Sequence, residues 1–377
     1  MKSVSFTSTP ITPETARVFP KSMTLAEIKD EMTNNNLDKD LSEKIQSIFK
    51  LWQHDPKKVE PYTEIKNVLE SVRRLPQGIE RVKKMNTIIR TIGTPEMLAT
   101  FLDMLRDAAK RDGTEDQKIC KTKLQAVKMH SIYGWCGNTL LIETSEFPTP
   151  GTHPAQDGLE ERLGNSTSAW NLTLHIWQPN HNALGFPISE LNSTKTILEP
   201  PHSHPFDFAS IVVTGCLHQS IYEQITEAHE LHNKNGYYNG IELNHVDGVW
   251  PPHLYHTKCQ LKTKEHSVLL NTGDSYYMQS DMIHDVEINA EIAVTRPTIT
   301  LFLSSEYLVM PHVYIIDSMK HYHEKNPDLK STGKPISEES WHKKLAAISN
   351  YLRGNSPTIN LNEIVQYDGS YAFFHRI

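Results

Sequence analysis

Two histidine-containing segments, far apart in the chain, have the residue types and spacing of a metal site. In the first, Glu199-Pro-Pro-His-Ser-His-Pro-Phe-Asp, His202 and His204 are separated by one residue. Side chains at positions i and i+2 of a β-strand lie on one face, so both imidazoles can bind the same ion. The second segment, Gly273-Asp-Ser-Tyr-Tyr-Met-Gln-Ser-Asp-Met-Ile-His284, adds a single histidine. Imidazole binds iron, zinc, copper and nickel, so the histidines alone do not determine which metal is bound.

A His-x-His pair is weak evidence by itself, because the chain contains 20 histidines. A chain of this length and composition is expected to contain about one such pair by chance. A second pair, His321-Tyr-His323, lies among charged residues and is typical of a solvated surface. The metal prediction therefore depends on the combination of the first pair with the distant lone histidine.

Together, the two segments resemble the paired motifs of the cupin superfamily. The first cupin motif carries His-x-His on a strand and closes on a turn glycine, here Gly215, and the second opens with Gly-Asp, here at Gly273. The resemblance covers about residues 131 to 315 and implies an antiparallel β-barrel around a divalent metal. The metal ligands that it implies are His202, His204 and His284.

The segments depart from the cupin pattern at two places. The glutamate ligand of the first motif is replaced by Phe208 or Ala209, and the usual proline and glycine of the second motif are Gln279 and Asp281. The first departure indicates three neutral imidazoles without a carboxylate. Asp207 is close enough in sequence to supply one if it turned inward, and that alternative stays open here.

Within the superfamily, the segments look most like the thiol dioxygenases of the cysteine and cysteamine type. They share the three-histidine set, a Pro-x-His-x-His-Pro sequence and a tyrosine on the strand after the glycine, but the Ser-His-Tyr relay of that family is absent. The resemblance implies a non-haem iron(II) oxygenase that uses O2 and acts on a small polar, anionic metabolite, amino-acid-like or thiol-like. Zinc, nickel, manganese or copper in place of iron, a non-redox metal-dependent isomerase or hydrolase, and a metabolite-binding regulatory cupin remain alternatives.

Further candidates for the site lie on neighbouring strands. We expect Tyr222 and His175 to assist catalysis. Side chains expected to contact the substrate are His218, Tyr277, Arg296 and Trp177.

The elements that must position these residues predict an α+β protein. Apolar residues at helical spacing indicate a helical domain over residues 22–130, after a flexible arm over residues 1–21. From 131 to 316, short β-branched and aromatic runs predict the cupin-type β-barrel, with strands such as Asn171–Trp177. Residues 317–377 form a C-terminal extension with one helix, predicted from Ser337 to Arg353.

Composition narrows the class of partner. The formal net charge is −7 and no long basic run occurs, so we expect no nucleic-acid partner. No stretch of about 18 apolar residues predicts a membrane span, and no apolar leader is evident, so we expect a cytoplasmic protein with reduced cysteines. The expected partners are a small-molecule substrate and O2, and homo-oligomerisation stays open.

Overall fold

A computed structural model gives the architecture of the chain. It describes residues 18–19, 23–34, 37–56, 58, 60–73, 75–110, 132–133, 138–144, 170–177, 197–204, 206–225, 237–243, 252–253, 258–288, 297–307, 312–316, 338–357 and 359.

Six α-helices occur in these ranges. They are α1 Leu25–Asn34, α2 Lys39–His54, α3 Glu60–Arg73, α4 Ile79–Ile92, α5 Pro95–Lys110 and α6 Glu338–Leu352.

The strands lie between α5 and α6 in the sequence. They are β1 Ile132–Tyr133, β2 Asn138–Thr144, β3 Asn171–Trp177, β4 Ile197–His202, β5 Phe206–Thr214, β6 Cys216–Ile225, β7 Tyr237–Leu243, β8 Pro252–His253, β9 Lys258–Asn271, β10 Ser275–Met278, β11 Ile283–Ile288, β12 Thr298–Tyr307 and β13 His312–Ile316.

The strands form two antiparallel sheets. The helix-facing sheet has the strand order β1-β2-β3-β12-β5-β10, and the second sheet has the order β13-β4-β11-β6-β9-β7-β8, with β13 also paired to β7. Helices and antiparallel sheets together confirm the α+β class. A single closed barrel goes beyond these pairings and stays a prediction.

The helices pack on one face of the helix-facing sheet. Their apolar stripes and the outward side chains of β3, β5 and β12 form one continuous core. At the contact between α4 and β5, a Cβ added to Gly93 would lie 2.5 Å from the Ile211 Cγ2 atom, so only glycine permits this approach. A helical bundle with a core of its own is therefore not shown, and the predicted domain boundary near residue 130 stays a prediction.

A second apolar cluster lines the opposite face of the helix-facing sheet and the facing side of the second sheet. Its buried members are Leu25, Trp177, Phe208, Val212, Leu217, Ile221, Leu270, Tyr276, Met278, Val286, Ile288 and Phe302. We call this space the inter-sheet interior.

The start of the described chain is tied to the strands. The backbone N–H groups of Val18 and Phe19, at the end of the predicted arm, donate to the Gln279 side-chain oxygen over 2.8 and 3.1 Å. The N–H groups of Leu25 and Ala26 donate to the Glu265 carboxylate over 2.6 and 3.0 Å. Leu25 and Ala26 are the first two residues of α1, so their N–H groups have no partner within the helix. The Glu265 carboxylate supplies one and also complements the helix dipole.

Several local predictions are confirmed. The strand predicted at Asn171–Trp177 is β3, and the helix predicted after the barrel is α6. None of the helices that the structure describes is long and apolar enough to cross a membrane.

Candidate metal centre

The three predicted histidines come from two neighbouring strands of the second sheet and the link that follows one of them. His202 is the last residue of β4, and His204 lies two residues later, before β5 begins at Phe206. His284 lies on β11, where it is the antiparallel partner of His202. Directly opposed residues of such a pair share a face. The strand register therefore brings His202 and His284 together. His204 joins them because it follows His202 by two residues.

The three rings lie close enough to share an ion. Ring centroids are 4.4 Å apart for His202 and His284, 4.9 Å for His202 and His204, and 5.2 Å for His204 and His284. Each ring offers one nitrogen, and these nitrogens all lie within 4.8 Å of one another. In the part of the chain that the structure describes, no other set of three or more His, Cys, Asp or Glu side chains converges in this way.

The shortest separation fits coordination of a single ion. The Nε2 atoms of His204 and His284 are 3.0 Å apart. Two nitrogens bonded at right angles to one ion at about 2.1 Å lie about 3.0 Å from each other. Two imidazole nitrogens at this distance must otherwise share a proton as donor and acceptor. The donor set therefore fits a divalent metal that prefers nitrogen ligands, although metal binding itself stays a prediction.

The surroundings lower the pKa of two of the three rings. Burial lowers the pKa of His204 well below its usual range, and repulsion from His202, His284 and His175 lowers it further. Burial and repulsion from His202 likewise lower the pKa of His284. His204 keeps some solvent-exposed surface, but Phe206 and Phe208 cover much of the ring. Neutral imidazoles present lone pairs, so His204 and His284 do not need to lose protons before they bind a cation.

The alternative that Asp207 completes the ligand set is not supported. Its carboxylate accepts hydrogen bonds from the Tyr277 hydroxyl at 2.7 Å and from the Ser280 N–H at 2.8 Å. Tyr277 is the cross-strand partner of Ala209 and packs in the helix-side core, on the face of the sheet opposite Phe208. Asp207 points to this helix-covered side, so the ligand set contains three imidazoles and no carboxylate.

Two of the secondary candidates lie in the inter-sheet interior with the histidines. The His175 ring stacks on Phe302 with centroids 4.8 Å apart and planes inclined by 13°, and it lies 5.5 Å from the Trp177 ring. Burial, followed by repulsion from His202, lowers the pKa of His175 to about 4. His175 is therefore a neutral imidazole beside the cluster at pH 7.

The structure does not bring Tyr222, His218 or Tyr277 to the cluster. The Tyr222 hydroxyl donates to the Asp285 carboxylate over 2.6 Å, and Tyr222 pairs with Ile283, whose side chain points away from that of His284. His218 is on the same outer face of β6, with its Nδ1 atom 3.0 Å from the Ser267 hydroxyl. Tyr277 binds Asp207 on the helix side, as described above. Arg296 lies outside the described residues.

Sequence reasoning missed three aromatic side chains that adjoin the histidines. Phe206 lies 5.5 Å and Phe208 4.8 Å from the His204 ring, and Phe302 stacks on His175. A signal was available for the first two, because alternate residues that follow His204 on a strand return to the same face. Phe302 is recognisable only once the pairing of β12 with β3 and β5 is known.

Comparisons with known proteins identify neither a family nor a close relative. No protein-family model matches the chain, and no curated protein matches it. Among solved structures, the chain is similar to a hydroquinone 1,2-dioxygenase in complex with Cd2+ and 4-hydroxybenzonitrile, at 12% identity, with 36% of this chain and 57% of that chain covered and a TM-score of 0.18.

Two further solved structures share a similar level of likeness. One is an oxalate oxidase in complex with the substrate analogue glycolate, at 12% identity, 49% and 62% coverage and a TM-score of 0.20. The other is the cupin_2 domain of a transcriptional regulator from Enterobacter cloacae, at 11% identity, 38% and 84% coverage and a TM-score of 0.16. The chain thus spans less than two thirds of either enzyme. At such TM-scores no likeness assigns an activity, and the metal centre is defined by its own side chains.

Proposed function

We propose that this protein is a metal-dependent enzyme, a non-haem iron(II) oxygenase that acts on a small anionic metabolite. The observation that carries the proposal is the convergence of His202, His204 and His284, whose ligand nitrogens lie within 4.8 Å of one another. An iron(II) ion held there would supply oxygenase chemistry with O2 as co-substrate.

The charge balance of the site favours an anionic substrate. A metal-bound imidazole is neutral, and the Asp207 carboxylate is bonded to Tyr277 on the other face of its strand. A divalent ion would therefore keep its full charge of about +2 in a poorly hydrated interior, where electrostatic attraction is stronger than in water. A carboxylate, phenolate or thiolate is the kind of group that such a site attracts.

Among the secondary candidates, His175 is the residue placed to assist the reaction. It lies in the inter-sheet interior and interacts electrostatically with His202. Because its ring is neutral, one nitrogen can accept a proton from a substrate while the other donates a hydrogen bond. Tyr222 has no comparable position, since its hydroxyl is committed to Asp285.

Metal content and oxygen consumption test the proposal. The protein is purified anaerobically, supplied with iron(II), and analysed for bound metal by mass spectrometry. Oxygen uptake is then followed with candidate amino acids, thiols and aromatic acids. We expect about one metal per chain, falling to near zero in His284→Ala. In His218→Ala the metal remains, because that histidine lies on the outer face of its strand.

Three outcomes separate the alternatives. Less than about 0.2 metal per chain after iron supplementation contradicts the metal centre itself. Turnover that persists with zinc and without O2 favours a non-redox isomerase or hydrolase. Metal and ligand binding without turnover, with His284→Ala changing only ligand affinity, favours a regulatory binding protein.

A further inference from the structure

Four near-parallel rings lead from His175 to a candidate metal ligand. The His175 and Phe302 planes are inclined by 13° with centroids 4.8 Å apart, and Phe302 and Phe206 by 20° at 6.1 Å. Phe206 and His204 follow at 24° and 5.5 Å. We call His175, Phe302, Phe206 and His204 the ring series. Each ring of the series is thus inclined by 24° or less to the next, whereas Phe208 stands edge-on to His204, Phe206 and Phe302.

The exposure of the ring series differs from that of an ordinary aromatic core. Phe302 is 7% exposed and Phe208, beside it, is 5% exposed, as expected for core residues. His175, His204 and Phe206 are only half-buried, although all three adjoin this core. His202 is half-buried as well. His175, His202, His204 and Phe206 thus keep part of their surface accessible to solvent at the edge of this core.

We propose that the site selects flat, unsaturated anions, with aromatic carboxylates as the model class. The inference rests on the proposed function, because the ion held by the three histidines would bind the anionic group. The ring of the ligand would then lie against the exposed part of Phe206. Offset stacking on an aromatic ring contributes affinity beyond apolar burial, whereas a saturated ring of the same size receives only the burial.

The test compares benzoate with cyclohexanecarboxylate, which match in charge and closely in size but differ in planarity. Titration calorimetry uses the zinc-loaded full-length protein, because zinc(II) has no redox chemistry. We expect benzoate to bind about 2- to 12-fold more tightly than cyclohexanecarboxylate, the ratio that one stacking contact gives. In Phe206→Leu the ratio falls to about one, and in Phe206→Tyr, which keeps the ring, it is retained.

The measurements distinguish failure of this inference from failure of the metal centre. Bound zinc is determined on each sample before the titration. A protein without stoichiometric metal contradicts the proposed function. A protein that binds one zinc but binds both acids equally, or binds neither, contradicts the planar-ligand inference alone. This holds for the wild-type protein by itself, so the result does not depend on correct folding of Phe206→Leu. A ratio unchanged in a folded Phe206→Leu would also overturn the role of Phe206.

Discussion

Replacing one buried lysine should change how the stability of this protein depends on pH. Lys344 lies in α6 and is fully buried, as are Trp341 and Leu345 of the same helix. Burial lowers its pKa from the ordinary 10.5 to about 7, because an ammonium group loses hydration in the apolar core. The free-energy cost of burying the Lys344 amino group therefore depends on whether it carries a proton.

The direction follows from proton linkage. Between pH 7 and pH 10.5 the unfolded chain keeps the proton that the folded protein releases, so the free energy of unfolding rises with pH in this window. The slope is at most about 1.4 kcal/mol per pH unit. For pKa values of about 7 and 10.5, the gain between pH 7.0 and 9.5 is about 3 kcal/mol. Well below pH 7 the lysine is protonated in both the folded and the unfolded protein, so its contribution to the free energy of unfolding no longer changes with pH.

The assay is urea denaturation followed by tryptophan fluorescence at several pH values from 6.5 to 9.5. Lys344→Met keeps the apolar stem but cannot titrate, so its free energy of unfolding relative to that of wild type should fall by about 3 kcal/mol across this range. Lys343→Met serves as control, because Lys343 is on the exposed side of α6 with a side chain 58% exposed. Equal pH slopes for wild type and Lys344→Met would refute the reasoning.

Three further predictions concern the site and the turns around it. Chelation of the metal should lower the melting temperature of the loaded protein, corresponding to about 2.7 kcal/mol at a metal concentration 100 times Kd, and His284→Ala should abolish this shift in a thermal melt. Tyr222→Phe removes a hydrogen bond to the buried Asp285 carboxylate and should cost about 1.5–3 kcal/mol in urea denaturation. Gly215→Ala should cost more stability than Gly273→Ala: both glycines have positive φ, but only at Gly215 does an added Cβ meet another residue.

The sequence was sufficient to predict elements whose pattern is local. β3 has the predicted bounds, Asn171–Trp177, because its alternation of polar and apolar residues is regular. The spacing of Thr24 and Glu27 is typical of a capping box, and one is present, with the Thr24 N–H donating to the Glu27 carboxylate at 2.8 Å and the Glu27 N–H to the Thr24 hydroxyl at 3.2 Å. In both cases the residues that determine the structure lie within a few positions of one another.

The orientation of two secondary candidates follows from the alternation of β6. His218 and Tyr222 are four residues apart on β6 and share a face, as the alternation predicts. Leu217 and Ile221, their neighbours, occupy the inter-sheet interior, so the histidine and the tyrosine point outward. The apolar residues of β6 would have given this answer, because the more apolar face of a strand is the one that is buried.

The packing of the helices could not be predicted from their stripes. An apolar stripe shows that one face of a helix is buried, but it does not show which element packs against that face. Here part of that surface is the outward face of β5 and β12, as the contact of Gly93 with Ile211 shows. The relation between the helices and the sheet is thus a property of long-range contacts, for which the sequence offers no periodic signal.

Strand alternation also explains the charge of the metal centre. The two carboxylates that adjoin the histidine segments, Asp207 and Asp285, each sit one residue away from a side chain that faces the inter-sheet interior, Phe208 and His284 respectively. Each therefore points to the far side of its strand, where it is bonded by Tyr277 and Ser280 or by Tyr222 and Ser220. The Asp285 bonds join β11, which carries His284, to β6, and neither carboxylate belongs to the group of side chains that converge at the cluster. The positive charge of a cation at the cluster must then be balanced by an anion that enters from solvent. This is the physical reason that the site is suited to an anionic ligand.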